Sequence, residues 1–152
     1  MKTIRTEPEL ASSNSKVNIK WIKSTSTLMV GVDSRGTSAV IGMWPENDPP
    51  WKGLKASDLL LMSAASCSAY DVVTILKKQR EPLESVDVIC TGDQESDPPH
   101  RFTKIHLHYV LRGKLSEDNV QRAISLSEDK YCSVINTLKG SVKITSDYEI
   151  VD

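Results

Sequence analysis

The sequence contains few cysteines, histidines and aromatic residues, and it has no large excess of charge of either sign. Among its 152 residues are three cysteines, three histidines and one phenylalanine, and aromatic residues make up 5% of the chain. Acidic and basic residues nearly cancel, giving a net charge of -1, and the basic residues are scattered along the chain. Such a chain offers no basic patch for nucleic acid or an anionic membrane. We therefore predict no nucleic-acid partner.

Long hydrophobic runs are also lacking. The first eight residues, MKTIRTEP, do not contain the apolar stretch of a secretory signal. The longest strongly apolar run is Leu59–Met62, and serines and alanines follow it. We therefore predict no membrane partner and a cytoplasmic location. In that reducing compartment, a cysteine pair is more often catalytic, metal-binding or simply buried than joined in a permanent disulfide.

Internal repeats and nucleotide-binding motifs are absent as well. No glycine-rich phosphate loop follows any predicted strand, and we predict no cofactor. The chain length suits one domain. We predict a loosely ordered tail over residues 1–15 and a single domain over residues 16–152.

Alternating apolar residues predict an N-terminal meander of three antiparallel strands, with a tight turn at Asp33–Gly36. A proline-rich loop over residues 45–54 separates the meander from a long helix. Ser57 is the predicted N-cap of this helix, which is expected to run to about Gln79. Residues 63–69 of the helix are uniformly small, which favours close approach of another helix and burial on most sides.

The second half of the chain predicts two strands, a helical region and a last strand. The clearest strand is Phe102–Leu111, in which apolar and polar residues alternate. Ser116 is the predicted cap of the helix that follows, and Ser127 that of a further segment carrying Cys132. The last strand is expected over residues 142–150. This order favours a segregated α+β fold over a βαβ repeat.

Two segments carry a family resemblance. Residues 58–78 contain three consecutive leucines, a run of small residues, Cys67 and then Asp-Val-Val, and they resemble the central helix of the OsmC/Ohr family. Residues 123–134 resemble the segment that bears the second cysteine of that family, which falls on Cys132. Residues 102–109 resemble the strand after the central helix. The resemblance covers roughly residues 17–151.

The resemblance implies an OsmC-like fold: an intertwined homodimer with antiparallel sheets, whose long central helices pack back to back. It also implies a peroxiredoxin-like enzyme that reduces organic hydroperoxides with a cysteine pair at the subunit interface. Cys67 would attack the peroxide and Cys132 would resolve the product. A cytosolic dithiol reductant would then restore both thiols.

Members of this family activate the attacking cysteine with an arginine that pairs with a glutamate just before the cysteine helix. In this chain Asp58 stands near the place of the glutamate, and Arg35 is the candidate for the arginine. Each also has a plainer interpretation. Asp58 would stabilise the first turn of the helix, and Arg35 would be an exposed residue of a hairpin turn.

Other residues have weaker claims to function. Cys90 continues an apolar strand face, which predicts a core thiol. His106 and His108 point the same way from one strand, but no third ligand is indicated, and we predict no metal. Trp44 and Trp51 would shield the cysteine site or anchor their loop. Two other functions remain open: a dimer that binds a small apolar ligand without catalysis, and a thiol redox sensor.

Overall fold

The structure is a computed structural model that describes residues 15–23, 27–42 and 53–151. The chain divides into two compact units, with the boundary after Ala56. Apart from Ser15, the predicted tail lies outside the described residues, as do Trp44 and Trp51. The single domain over residues 16–152 therefore stays a prediction.

The first unit contains the predicted meander. Its strands are β1 Asn18–Trp21, β2 Met29–Val32 and β3 Ser38–Ile41, paired antiparallel in the order β1-β2-β3. In the turn before β3, Asp33 Oδ1 accepts the backbone N–H groups of Arg35 at 2.9 Å and Thr37 at 2.8 Å. This side-chain turn, closed by Gly36 at φ 86°, explains why the chain reverses where the sequence predicts it.

The second unit follows the predicted order of elements and confirms the α+β class. The long helix is α1 Ala56–Lys78, which is followed by strands β4 Ser85–Gln94 and β5 Phe102–Arg112. A helical region comes next, with α2 Glu117–Leu126, a π-helical turn over Ser127–Tyr131 and α3 Ser133–Leu138. The last strand is β6 Lys143–Val151.

The sheet of the second unit corrects one expectation. Its order is β4-β5-β6, and β4 pairs antiparallel with β5, but β6 pairs parallel with β5. The prediction of antiparallel sheets is therefore wrong for this pair of strands. The reason is the helical region between them, which carries the chain back to the end of the sheet where β5 began.

The core of this unit lies between α1, the inner face of β5 and α2. The alternation in β5 buries a row of side chains that are all fully inaccessible, namely Ile105, Leu107, Tyr109 and Leu111. Every fourth residue of α1 is buried in turn, and these residues are Ala64, Ser68, Val72 and Leu76. One narrow stripe of the long helix thus faces the core, as a four-residue repeat requires.

Two predicted helix caps are wrong. α1 begins at Ala56, so Ser57 lies inside its first turn, and its buried hydroxyl has no hydrogen-bond partner within residues 15–23, 27–42 and 53–151. Ser127 is also helical, with φ -59° and ψ -54°, so the backbone continues through it into the π-helical turn. The first extended residue is Cys132, at φ -69° and ψ 103°, and Cys132 caps α3 instead.

The side of α1 that faces away from the core is apolar and exposed. Met62 is 49% exposed and Tyr70 is 72% exposed. An 18-residue window of α1 has a mean hydropathy of 1.7, yet only 22% of it is buried. By length and composition α1 is apolar enough to cross a membrane, a property that it shares with the core helices of many proteins. The absence of a membrane span stays a prediction.

We expect the core to tolerate truncation of β5 poorly. Ile105→Ala, at a fully buried position, should lower the free energy of unfolding by about 2–5 kcal/mol, because it leaves a cavity between sheet and helix. The matched control is Ile89→Ala on β4, where the side chain is 56% exposed. It should change the free energy of unfolding by less than about 0.5 kcal/mol. Urea unfolding measures both, and equal losses would contradict this description of the core.

Candidate functional site

Cys67 and Cys132 lie close together in the second unit. Cys67 is half-buried in the middle of α1, and Cys132 is fully buried at the start of α3. The two sulfur atoms and a carboxylate oxygen of Asp71 all lie within 4.8 Å of one another. Both thiols are free. Because a disulfide bond is about 2.05 Å long, a modest movement would let the sulfurs bond.

Local structure explains how the three side chains meet. Cys67 and Asp71 are one helical turn apart on α1, so they share one edge of the helix. That edge borders the buried stripe through Ser68 and Val72. Cys132 comes from the opposite side, at the point where the π-helical turn gives way to α3.

Burial decides the protonation of Cys132. It raises the pKa of the Cys132 thiol to about 11, even though Cys132 Sγ accepts the backbone N–H of Ile135 at 3.4 Å, which works in the other direction. The neighbouring Cys67 thiol raises the pKa further. At neutral pH Cys132 is therefore a protonated thiol.

A chain of buried hydroxyl groups connects the site to the core. The Ser127 hydroxyl donates to Asp71 Oδ2 at 3.1 Å and lies 2.8 Å from the Ser68 hydroxyl. The Ser68 hydroxyl in turn lies 2.6 Å from the Tyr109 hydroxyl. Because the single hydroxyl hydrogen of Ser127 points to the carboxylate, Ser127 can only accept from Ser68. The direction of donation along the chain therefore runs from Tyr109 to Ser68 and from Ser68 to Ser127. Burial raises the pKa of Tyr109, which keeps it a donor.

Neither this chain of hydroxyl groups nor Asp71 is among the site residues predicted from the sequence. Asp71 had a usable signal, because it follows Cys67 by four residues on a predicted helix. In the sequence Ser68 is one of many small residues, and the position of Ser127 predicts a helix cap. Neither position in the sequence indicates that the two serines meet, since the contact depends on how α1 packs against the helical region.

Asp58 is exposed in the first turn of α1. It precedes Cys67 by nine residues, or two and a half turns, which places it about 13 Å away along the axis and on the opposite side of the helix. Within one chain it therefore does not approach the thiol. Its predicted catalytic role would need a second subunit, and it stays a prediction.

Arg35 lies in the turn between β2 and β3. Its side chain is 88% exposed, and its Nε is 3.8 Å from a carboxylate oxygen of Asp33. Such an exposed pair contributes little to stability. The predicted role of Arg35 toward Cys67 stays a prediction.

The remaining candidates have ordinary partners. Cys90 is half-buried against the core, as expected, and burial raises its thiol pKa. On the outer face of β5, His108 Nδ1 lies 2.5 Å from Asp147 Oδ1, and His106 Nε2 lies 3.4 Å from the same oxygen. The hydrogen bond to Asp147 raises the pKa of His108. In the described chain these histidines therefore contact strand β6 rather than solvent alone.

A groove opens beside Asp71. It has a volume of about 350 Å³, and α1 contributes Asp71, Thr74 and Lys78 to its wall, while Leu126 and Tyr131 close the other side. The groove is mixed in character, with a carboxylate, an amine and apolar surface. It gives small molecules a way to approach Asp71 from solvent.

The chain is similar to proteins of one family along most of its length. The sequence profile of the family described as OsmC-like protein matches residues 48–147. Protein YhfA of Escherichia coli strain K12 is 34% identical over 137 residues, which cover 90% of this chain and 98% of YhfA.

Solved structures agree in fold. A hypothetical protein from Aquifex aeolicus VF5 is 29% identical with a TM-score of 0.77, and the match covers 92% of this chain and 99% of that one. An organic hydroperoxide resistance protein, OsmC, from Legionella pneumophila has a TM-score of 0.69 at 15% identity, covering 91% of this chain and 98% of that one. At that identity the likeness concerns the fold alone.

The hydroxyl chain should matter for stability. Ser127→Ala removes the donor to Asp71 and leaves the buried Ser68 hydroxyl without one partner, so we expect a loss of about 1–3 kcal/mol in the free energy of unfolding. The matched control is Ser125→Ala on α2, whose hydroxyl accepts an exposed hydrogen bond from Gln121. Thermal or urea unfolding compares the two, and indistinguishable stabilities would show that the chain contributes nothing.

Proposed function

The chain belongs to the OsmC-like protein family, and on that premise we propose that it is a thiol-dependent peroxidase that reduces organic hydroperoxides to alcohols. One observation carries the proposal: Cys67 and Cys132 meet within 4.8 Å, although they are far apart in the sequence. Relatives of the same fold named as organic hydroperoxide resistance proteins support the choice of substrate.

Cys67 is the residue that attacks. It is half-buried and so has access to a substrate, whereas Cys132 is fully inaccessible and protonated at neutral pH. The Cys67 thiolate bonds to one peroxide oxygen and the O–O bond breaks. The departing alkoxide takes up a proton and leaves as an alcohol, while Cys67 becomes a sulfenic acid.

Cys132 resolves this sulfenic acid. Its sulfur bonds to Cys67 Sγ and the S–O bond breaks, and the released hydroxide takes the thiol proton of Cys132 to form water. The short distance between the two sulfur atoms, at most 4.8 Å, favours this step over further oxidation of Cys67. A cytosolic dithiol then reduces the disulfide and is itself oxidised, which restores both thiols.

Activation of Cys67 needs a positive group, because Asp71 places negative charge beside the thiols. We assign this role to Arg35, with Asp58 as its carboxylate partner. Asp58 faces away from Cys67 of its own chain. In an intertwined homodimer, Asp58 of one subunit would instead lie near Cys67 of the other. The exposed apolar side of α1 supports such a dimer, since a second copy of the helix would cover it.

Cumene hydroperoxide tests the peroxidase. One equivalent added to the reduced protein should give a Cys67–Cys132 disulfide, because the two sulfurs already lie within 4.8 Å. Peptide mass spectrometry without reduction measures it. The bridge should be absent in Cys67→Ser, whereas Cys90→Ser, the matched control, should form it as the unmodified protein does.

Other outcomes point to the other functions. A bridge that forms without turnover in the presence of a dithiol reductant indicates a redox sensor. If Cys67 and Cys132 stay reduced, or oxidise no faster than Cys90, the protein is not a peroxidase. The ligand-binding dimer is then the remaining function, and it should retain its ligand when both cysteines are changed to serine.

A second test addresses the dimer. Met62→Glu places a charge on the exposed side of α1, where Met62 is 49% exposed, and should shift the sedimenting species from twice the monomer mass towards the monomer. Ile89→Glu is the matched control, because Ile89 is comparably exposed, at 56%, but lies on the outer face of β4. If both variants sediment as the unmodified protein does, α1 is not the interface.

A further inference from the structure

We propose that the reduced site is also a binding site for a thiophilic divalent cation of the zinc class, with Cys67, Cys132 and Asp71 as its three protein ligands. The geometry points to this site because two sulfur atoms and a carboxylate oxygen lie close together, although they come from two separate elements. The site consists of these three residues, and binding of a cation there does not depend on peroxidase activity.

The donor set suits such a cation. Zinc binds cysteine sulfur at about 2.3 Å and carboxylate oxygen at about 2.0–2.2 Å, and three protein ligands with one open position form a typical tetrahedral site. Ligand atoms around such an ion lie about 3.3–3.8 Å apart. Here all three already lie within 4.8 Å of one another, so side-chain movements of less than about 1.5 Å would close the site. Harder cations such as magnesium prefer oxygen ligands throughout.

The charges favour a cation for a separate reason. Two thiolates and a carboxylate would put three negative charges within 4.8 Å of one another, which is strongly unfavourable without a positive ion between them. A divalent cation reduces that charge to -1 and deprotonates the thiols that bind it. The same cluster that disfavours a bare pair of thiolates is therefore a good receptor for a metal dication.

The surroundings hold two of the ligands in place. Ser127 donates to Asp71 Oδ2, which orients the carboxylate and leaves the other oxygen to bind. The backbone N–H of Ile135 points at Cys132 Sγ from 3.4 Å and stabilises negative charge on it. The groove of about 350 Å³ beside Asp71 provides a path from solvent to this one of the three ligands.

The outer face of β5 is a competing location, because His106 and His108 share Asp147 there. Imidazole and carboxylate also bind zinc-class cations. The two locations differ in their ligands, since only the site at Cys67 contains sulfur. A spectroscopic probe that reports thiolate coordination therefore separates them.

The experiment is a titration of the reduced, full-length protein with Co²⁺, followed by displacement with Zn²⁺ against a chromophoric chelator. We expect a near-ultraviolet thiolate-to-cobalt charge-transfer band that saturates at one equivalent and disappears when Zn²⁺ is added. Cys67→Ser and Cys132→Ser should each lose the two-thiolate band. Asp71→Asn should weaken the affinity for Zn²⁺ by at least about tenfold, while Cys90→Ser, the matched control, should bind as the unmodified protein does.

Three results would overturn the proposal. The first is cobalt binding without a charge-transfer band, which would place the ion at the histidines and be lost in His108→Asn. The second is a band of undiminished intensity in Cys67→Ser, which keeps its fold most readily because Cys67 is only half-buried. The third is an unchanged zinc affinity in Asp71→Asn. Circular dichroism of every variant shows that a lost band is not caused by unfolding.

Discussion

The packing of α1 on the inner face of β5 is the constraint on which the candidate site depends. The buried stripe of α1 runs through Ala64, Ser68, Val72 and Leu76. With this stripe fixed against the core, each other residue of the helix has a set direction, since each step along the helix turns it by about 100°. Cys67 and Asp71 then fall on the edge that meets Cys132, whereas Asp58 and Met62 point elsewhere. A helix rotated by one residue would bury Cys67 and remove it from any substrate.

Polar atoms in the core strengthen this constraint. Tyr109, Ser68 and Ser127 are fully buried, so their hydroxyl groups need partners, and they find them in one another, in the backbone carbonyl of Ser68 and in Asp71. Apolar side chains tolerate small changes of register, but a row of hydrogen bonds does not, because each misplaced hydroxyl would remain buried and unpaired. The network therefore ties three elements, α1, β5 and the π-helical turn, to one arrangement, and that arrangement holds Asp71 beside the two thiols.

Much of the fold could be predicted from the sequence, because local patterns determine it. The alternation in β5, the Asx turn at Asp33 and the capping serine of α2 are all visible in a few neighbouring residues. The parallel pairing of β6 could not be predicted in this way, since it depends on the path of the chain through α2 and α3. The π-helical turn that presents Cys132 is equally non-local. The two cysteines could be matched only through the family resemblance, and the contact of Asp71 with Ser127 joins residues that no periodicity relates.

Asp71 also limits what the site can do. A thiolate at Cys67 lies within 4.8 Å of a carboxylate oxygen of Asp71, and the two negative charges repel each other. A positively charged group must therefore lie beside Cys67 and Cys132 before Cys67 can react as a thiolate or before both thiols can bind as thiolates. An arginine side chain meets this need while leaving the sulfur free to attack, whereas a metal ion meets it by occupying the sulfur's lone pairs. The two uses exclude each other, because a sulfur bound to zinc is poorly available to a peroxide and a sulfur in a disulfide cannot bind zinc. Under the two proposals, the cation that occupies the position beside Asp71 would therefore determine whether the dithiol acts as a reductant or as a ligand.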